Sequence, residues 1–361
     1  MSRPARVCIN LHSLRHNLSR VRSLAPGSHV LAIIKADAYG HGIVRVARAL
    51  DAADAFGVAC LEEATALREA GIRQPVVLLE GPFDAEDLES IERLRLQTVI
   101  HDPVQIEMLE RSRIRGPIKI WLKIDTGMHR LGLRPGDLNP CIERLRRCAC
   151  VDDDIVLMTH LACASEPGHV LTDSQLQLFS SLTASMRLAR SVANSAAVLS
   201  IPESHCDWVR PGIMLYGVSP FAGETGADHG LEPAMTFRTR LIAIKSLQAG
   251  DSVGYGAVWR CPAPMTVGIV AAGYGDGYPR HALSGTPVLV NGQRTRLLGY
   301  ASMDMLAVDL STIADARIGD PVTLWGEGLP VEEIAASAAT IAYELISSVQ
   351  KRLQFVEDGP G

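Results

Sequence analysis

The chain lacks several features that would each have pointed to a familiar class. It has no apolar run near the roughly 20 residues that a bilayer span requires, so no membrane segment is expected. It has no excess of positive charge. The formal net charge is −5, with signs mixed along the chain, which argues against a nucleic-acid partner. Its eight cysteines, Cys8, Cys60, Cys141, Cys148, Cys150, Cys163, Cys206 and Cys261, form no C-x-x-C pair. Scattered thiols in a chain of 361 residues read as reduced and packed, as in a cytoplasmic protein, and not as a disulfide framework. His160 with Cys163 and His205 with Cys206 are the nearest approach to metal-ligand pairs. The second is too close in sequence for ordinary chelation, so no metal is expected. No internal repeat and no low-complexity segment is visible. Acidic residues are missing from the first 36 positions, which hold several arginines, a faint likeness to a transit peptide. That stretch reads better as a strand and an amphipathic helix ending near Pro26-Gly27.

What is present is an ordinary globular balance, 47% apolar and 21% charged, in a chain long enough for two domains or a barrel with an appendage. Through the first two-thirds, short apolar runs alternate with helical patterns. Strands are predicted at Val30–Ile34, Ala55–Val58, Val76–Leu79, Thr98–Ile100, Ile118–Ile124, Ile155–Thr159 and Val198–Ser200, with "DWVRPGIMLYG" as the last. Helices are predicted at Leu61–Ala70, Ala85–Leu94, Val104–Glu110 and Thr172–Ala189. About eight such units over about 230 residues point to an α/β fold, a (β/α)8 TIM-type barrel. After about Leu231 the texture changes to short β-rich runs split by Gly, Pro and Asp. A mostly antiparallel β domain is expected there, closed by a helix over Val331–Ser347. The predicted division is 1–232 for the barrel and 233–361 for the β domain, with Glu357–Gly361 as a loose tail.

The chemistry gathers after the first barrel strand. "HVLAII" runs into Lys35, and a lysine at the carboxyl end of a barrel strand lies on the catalytic face. Apolar flanks favour its neutral, nucleophilic amine, which can condense with an aldehyde. On its own it reads equally as a surface ion-pair partner. The following Tyr39-Gly40-His41-Gly42 favours the site, because its glycines permit a loop packed against a ligand.

"IIKADAYGHG" resembles the lysine signature of the alanine racemase family. The likeness continues in register through "WLKIDTGMHRLG", "MTHLACA", "ANSAA", "VRPGIMLYG", "VGYGAVW", "AAGYGDGYPR" and "SMDMLAVDL". The resemblance implies that Lys35 holds pyridoxal 5'-phosphate, and that Tyr39, Ser195 and the backbone of Gly212 and Ile213 bind its phosphate. It implies Arg210 at the pyridine nitrogen and His160 beside the ring, hydrogen-bonded toward Arg210. Arg130 would orient the catalytic tyrosine and the substrate carboxylate, and Met303 would add substrate contacts from the second domain. Lys123 matches a position that can be carbamylated to brace Arg130. Each has a plainer reading. Ser195 could cap a helix, His160 could be a satisfied core histidine, Arg210 a structural ion pair and Met303 core filler.

Racemisation removes a proton from one face of Cα and delivers one to the other. It therefore needs an electron sink and two opposed acid/base groups. The resemblance assigns these to Lys35 and Tyr255. A tyrosine of ordinary pKa, about 10, needs nearby positive charge to act as a base, and Arg130 is the candidate. Taken alone, Tyr255 between glycines is also a plausible structural hairpin residue. In the family this tyrosine comes from the partner subunit, which implies a homodimer with shared sites. Arg210 cannot surrender its proton, so it would donate to the pyridine nitrogen without protonating it, and the weaker sink would suppress transamination.

The expected activity is interconversion of L- and D-alanine, for cell-wall supply or for catabolism. The alternatives are a serine or broader racemase of the same fold, a barrel amino-acid decarboxylase, and a non-enzymatic pyridoxal-phosphate carrier. A decarboxylase should carry an acidic partner for the pyridine nitrogen and a Gly-rich phosphate loop, and the chain has Arg210 and no Gly-Gly-Gly run. A carrier would lack the β domain. Three departures from the family pattern stand out. Ser191 replaces a common histidine, Ser302 a cysteine of some members, and Lys351 a tyrosine beside the final arginine that helps hold phosphate.

Overall fold

The computed structural model describes residues 3–358. Eight parallel strands close into a barrel: His29–Ile33, Ala55–Val58, Val76–Leu78, Gln97–Ile100, Ile120–Lys123, Val156–Met158, Ala189–Asn194 and Trp208–Arg210. Leu31 pairs with Ala55 at one seam, and His29 and Val30 pair with Trp208 and Val209 at the closure. The strand period of two sorts the side chains. Leu31, Ile33, Ala55, Val77, Val99, Trp121, Val156 and Met158 fill the barrel interior. Val30, Ala32 and Ile34 join the cluster packed under the helices. Both faces are buried, which is why these strands read as unbroken apolar runs.

One barrel strand lies elsewhere than predicted. Val198–Ser200 is the end of a helix, Ser195–Ser200, and the strand is Ala189–Asn194. The preceding helix accordingly ends at Thr183. The strand "ARSVAN" is short in apolar residues because it lines a polar site. The apolar "AAVL" that mimics a strand is the buried face of a helix, started by the Asn194 side chain accepting from the Ala197 N–H.

The second lobe is an eight-stranded sheet built around the long strand Met235–Leu247. That strand pairs antiparallel with Met265–Val270 along its second half and with Pro321–Trp325 along its first. The first strand of the chain, Arg6–Asn10, also belongs here, antiparallel to Met235–Arg238 and parallel to Gln354–Asp358. The first and last described strands are thereby woven into one sheet. Glu357 and Asp358 are part of that strand and not of a loose tail, and residues 359–361 lie outside the described residues. The helix predicted over Val331–Ser347 is two, Val331–Ser337 and Ala342–Ser347, broken where Ala339 takes a left-handed φ of 51°. Among the described residues no helix is long and apolar enough to cross a membrane, no disulfide joins any of the eight cysteines, and no His/Cys/Asp/Glu cluster has metal-binding geometry.

Candidate active site

The residues singled out in the first lobe converge on the carboxyl end of the barrel. Lys35 follows the first strand, Lys123 ends the fifth, His160 follows the sixth, Ser195 follows the seventh and Arg210 ends the eighth. This is the face where loops carry chemistry in such barrels.

Lys35 opens a left-handed turn. Ala36, Asp37, Ala38 and Tyr39 have φ values of 54°, 52°, 54° and 52°, and Gly40 follows at 78°. Each L-residue held there costs about 1–2 kcal/mol, so the turn must be over-determined by its surroundings. Asp37 accepts from the Ile43 N–H at 2.8 Å, and Glu63 accepts from the Asp37 N–H at 3.2 Å. His41 Nδ1 bonds the Tyr39 carbonyl at 2.9 Å. A Cβ on Gly40 would lie 2.2 Å from the Ile346 carbonyl oxygen, so only glycine closes the turn. His41 is fully buried, and burial pushes its pKa down to about 4, so it is a neutral strut.

The turn delivers the Tyr39 phenol to Gly212, where a Cβ would sit 2.5 Å from its oxygen. The Tyr39 ring lies 4.7 Å from Tyr216 and 6.1 Å from Tyr343. Burial and the neighbouring Tyr343 raise its pKa, which keeps it a neutral donor. Tyr216 donates to the Ile33 carbonyl at 3.0 Å, tying this aromatic stack to the strand that ends at Lys35. Opposite, the Ser195 hydroxyl accepts from the Gly212 N–H at 2.8 Å and the Met214 N–H at 3.4 Å. Asn194, and not Ser195, is the helix cap. Tyr39, Ser195 and the Gly212–Ile213 backbone therefore gather hydroxyl and N–H groups around a cradle that a single methyl group at Gly212 would obstruct. That composition fits a phosphate.

Beside the cradle lies an excess of cations. Arg210 is 4% exposed and donates to the Ser191 hydroxyl at 2.7 Å, the Thr159 carbonyl at 2.5 Å and the Val192 carbonyl at 3.2 Å. Its fourth partner is His160 Nδ1 at 3.5 Å, which fixes that nitrogen as an acceptor. Burial first, then Arg210, Lys123, Arg130 and Lys35, hold the His160 pKa well below its ordinary value, so its ring is neutral. Lys123 is 7% exposed, and its pKa is pushed down to about 8 by burial and by Arg210, Arg130 and Lys35. Asp125 opposes this only weakly, because its carboxylate is occupied by the Gly127 and His129 N–H groups of the loop that carries Arg130. A pocket so rich in cations is short of negative charge, and a phosphate and a carboxylate would supply it. The residues present thus fit pyridoxal phosphate.

Tyr255 and Met303 stand apart from this cluster. Among the described residues, no hydrogen bond, ion pair or ring contact joins Tyr255 to Lys35 within the chain. Tyr255 is 70% exposed and Met303 53% exposed. Gly254 and Gly256, at φ 73° and 72°, turn the backbone so that the Tyr255 ring projects from the second lobe.

Three features were not anticipated from the sequence. Ser191, which stands where a histidine is common in the family, anchors Arg210 and donates to the Trp208 carbonyl. Tyr343 is the C-terminal tyrosine beside Tyr39. Lys351 is exposed, and its neighbour Arg352 pairs with Asp276 and Asp304. No local pattern in "TIAYELI" marks Tyr343, because its neighbour Tyr39 is some three hundred residues away.

Comparison with known proteins covers nearly the whole chain. Residues 9–220 match the family described as alanine racemase, N-terminal domain, and residues 234–357 match alanine racemase, C-terminal domain. The chain is 57% identical over 345 residues to the alanine racemase of Nitrosococcus oceani, covering 96% of this chain and 97% of that one. It is 53% identical over 365 residues to that of Nitrosomonas europaea, covering all of both. The crystal structure of the biosynthetic alanine racemase of Pseudomonas aeruginosa superposes with a TM-score of 0.96 at 46% identity, over 99% of this chain and 100% of that one. A Bartonella henselae alanine racemase with covalently bound pyridoxal phosphate superposes with a TM-score of 0.88 at 26% identity, over the same shares.

Proposed function

The chain belongs to the alanine racemase family, a family of pyridoxal-phosphate-dependent isomerases, and we propose that it interconverts L- and D-alanine using Lys35 and Tyr255 as opposed acid/base groups. The observation that carries this reading is the buried Arg210, held by Ser191, Thr159 and Val192 and grouped with Lys35 and Lys123 around His160, next to the Tyr39–Ser195–Gly212 cradle.

Pyridoxal phosphate, when bound, supplies the electron sink that makes Cα–H acidic. Lys35 would hold its aldehyde carbon, and the Lys35 amine, once released from that bond by the incoming substrate amine, would take or return a proton on one face of Cα. Tyr39, Ser195, Gly212 and Ile213 hold the phosphate, with Tyr343 completing the aromatic side. Arg210 would donate to the ring nitrogen and, being an arginine, would keep its own proton. Neutral His160 lies alongside without adding charge. Arg130 orients the substrate carboxylate, and Met303 limits the room beyond Cα. Arg210→Glu is expected to raise pyruvate formation from alanine relative to racemisation, because a carboxylate favours a protonated ring. Since the exchange also strips donors from the Thr159 and Val192 carbonyls, the readout is the ratio of the two products per bound cofactor. An unchanged ratio refutes the role given to Arg210.

The exposure of Tyr255 in its own chain supports a site completed by a second copy, in which the phenol of one subunit serves the Lys35 of the other. We read residues 1–232, apart from the strand Arg6–Asn10 that joins the second lobe's sheet, as the cofactor-binding unit and 233–361 as the unit supplying Tyr255, in a cytoplasmic homodimer that makes D-alanine for peptidoglycan. Enzyme diluted until sedimentation shows only monomers is expected to lose at least about 99% of its turnover, since general acid–base groups contribute about 10²–10⁴-fold. Full turnover by monomers would exclude shared sites.

Lys123 is the natural target for carbamylation. An amine with a pKa near 8 is part neutral at physiological pH and can add carbon dioxide, and the resulting anion would sit between Arg130 and Arg210. Purification in carbon-dioxide-free buffer is expected to raise KM for alanine several-fold. Restored bicarbonate should reverse the effect, and a 13C-carbamate signal that is absent in Lys123→Ala should accompany it. A KM indifferent to bicarbonate, with no such signal, would count against the modification.

Substrate identity is tested by offering L- and D-alanine, serine and lysine to the purified enzyme and following optical inversion. Faster inversion of serine than of alanine would favour the broader racemase.

A further inference from the structure

The loop that presents Met303 is fastened through its own Asp304 and three charged side chains from elsewhere in the chain, Arg3, Asp276 and Arg352. Asp276, whose side chain is fully buried, accepts from Arg3 at 2.6 Å and from Arg352 Nε at 2.8 Å. The same carboxylate accepts from the Gly273 N–H at 2.9 Å, which sets the turn Tyr274–Asp276. Both arginines then reach Asp304, the residue after Met303, at 2.9 and 2.5 Å, and Arg3 also donates to the Asp304 carbonyl at 2.9 Å. On the other side, the Tyr274 and Gly275 N–H groups donate to the Ser302 and Met303 carbonyls at 3.0 and 2.8 Å. The fit is close: a Cβ on Gly273 would lie 2.2 Å from the Ser302 oxygen, and one on Gly275 would lie 3.0 Å from Arg352 Nη2. The backbone around Met303 is therefore held from both flanks, while its side chain stays exposed. A buried carboxylate shared by two guanidiniums is a costly device for an exposed loop. It is the arrangement expected where a side chain must be held to within a fraction of an ångström.

We propose that Asp276, clamped by Arg3 and Arg352, is a positioning residue that sets the place of Met303 against the substrate side chain, and so contributes to the choice of alanine over larger amino acids. This rests on the reading of Met303 as a substrate contact. Asp276 touches no reacting atom. Its amide analogue would keep an acceptor for Gly273 but turn N–H donors toward an arginine and remove the charge that holds both guanidiniums.

The test measures kcat and KM for L-alanine and L-serine, per bound cofactor, in the full-length holoenzyme and in Asp276→Asn, Arg352→Gln, Arg352→Lys, Met303→Ala and the double variant D276N/M303A. Asp276→Asn is expected to raise KM for alanine about tenfold with kcat within about threefold, and to lower the alanine-to-serine ratio of kcat/KM about tenfold, within the range that one methylene-sized contact can discriminate. Arg352→Gln should act in the same direction, with Arg352→Lys nearer the parent. In the Met303→Ala background, Asp276→Asn should change the ratio by less than about twofold, because the two act through one contact. If Met303→Ala shifts the ratio but Asp276→Asn and Arg352→Gln do not, the clamp proposal is overturned. If Met303→Ala leaves the ratio unchanged, the reading of Met303 is what fails. Should Asp276→Asn not fold, the two Arg352 variants decide alone.

Discussion

Lys35→Ala is expected to reduce racemisation in both directions by at least about 10⁴-fold. Two functions are lost together: the attachment of the cofactor's aldehyde carbon and proton transfer on one face of Cα, each a large term by itself. The purified variant should keep its fold, since the left-handed turn is held by Asp37, His41 and Gly40 and not by the lysine amine. Borohydride treatment followed by denaturation should leave cofactor absorbance on the parent chain and none on the variant. Retention of covalent label by Lys35→Ala would mean that another amine does this work. The buried Lys123, with its lowered pKa, would be the first to examine.

Tyr255→Phe should separate two processes that the parent enzyme couples. Loss of one hydroxyl removes the proton donor and acceptor on one face only, at a cost of about 10²–10⁴-fold in racemisation. The other face retains Lys35. In deuterated water, one enantiomer of alanine should therefore still exchange its α-proton at a rate far above its rate of inversion, while the other exchanges slowly. Mass spectrometry combined with chiral chromatography reads both. Equal suppression of exchange in both enantiomers would argue that Tyr255 orients substrate instead of moving a proton, and the pairing of an amine with a phenol across Cα would have to be abandoned. The exposure of Tyr255 argues against a folding defect as the source of either result, because the ring packs against little in its own chain.

The barrel was legible because parallel strands buried on both faces leave continuous apolar runs, and seven of the eight were placed from those runs alone. The exception, Ala189–Asn194, carries no such run. A strand whose side chains serve a site, such as Ser191 anchoring Arg210, sacrifices the apolar pattern by which strands are found. The helix after it supplied a decoy. The break between Val331–Ser337 and Ala342–Ser347 was hidden for a related reason, since the left-handed Ala339 carries no glycine or proline to announce it.

The same division runs through the site. Lys35, Tyr39, Gly40 and Gly42 are neighbours in sequence, and their chemistry could be read from one short segment, as could the glycines around Tyr255. The sequence by itself therefore determined the barrel class, singled out Lys35 from one short segment, and marked where the β-rich lobe that carries Tyr255 begins. It could not show the left-handed turn that aims Tyr39 at Gly212, or the crowd of cations that lowers the pKa of Lys123. Nor could it show Tyr343 beside the cradle, or the union of Arg3, Asp276, Asp304 and Arg352 beneath Met303. Those properties arise from distances between residues tens to hundreds of positions apart. Burial and electrostatics act through space, and only the closed fold sets which charges and hydroxyls share it.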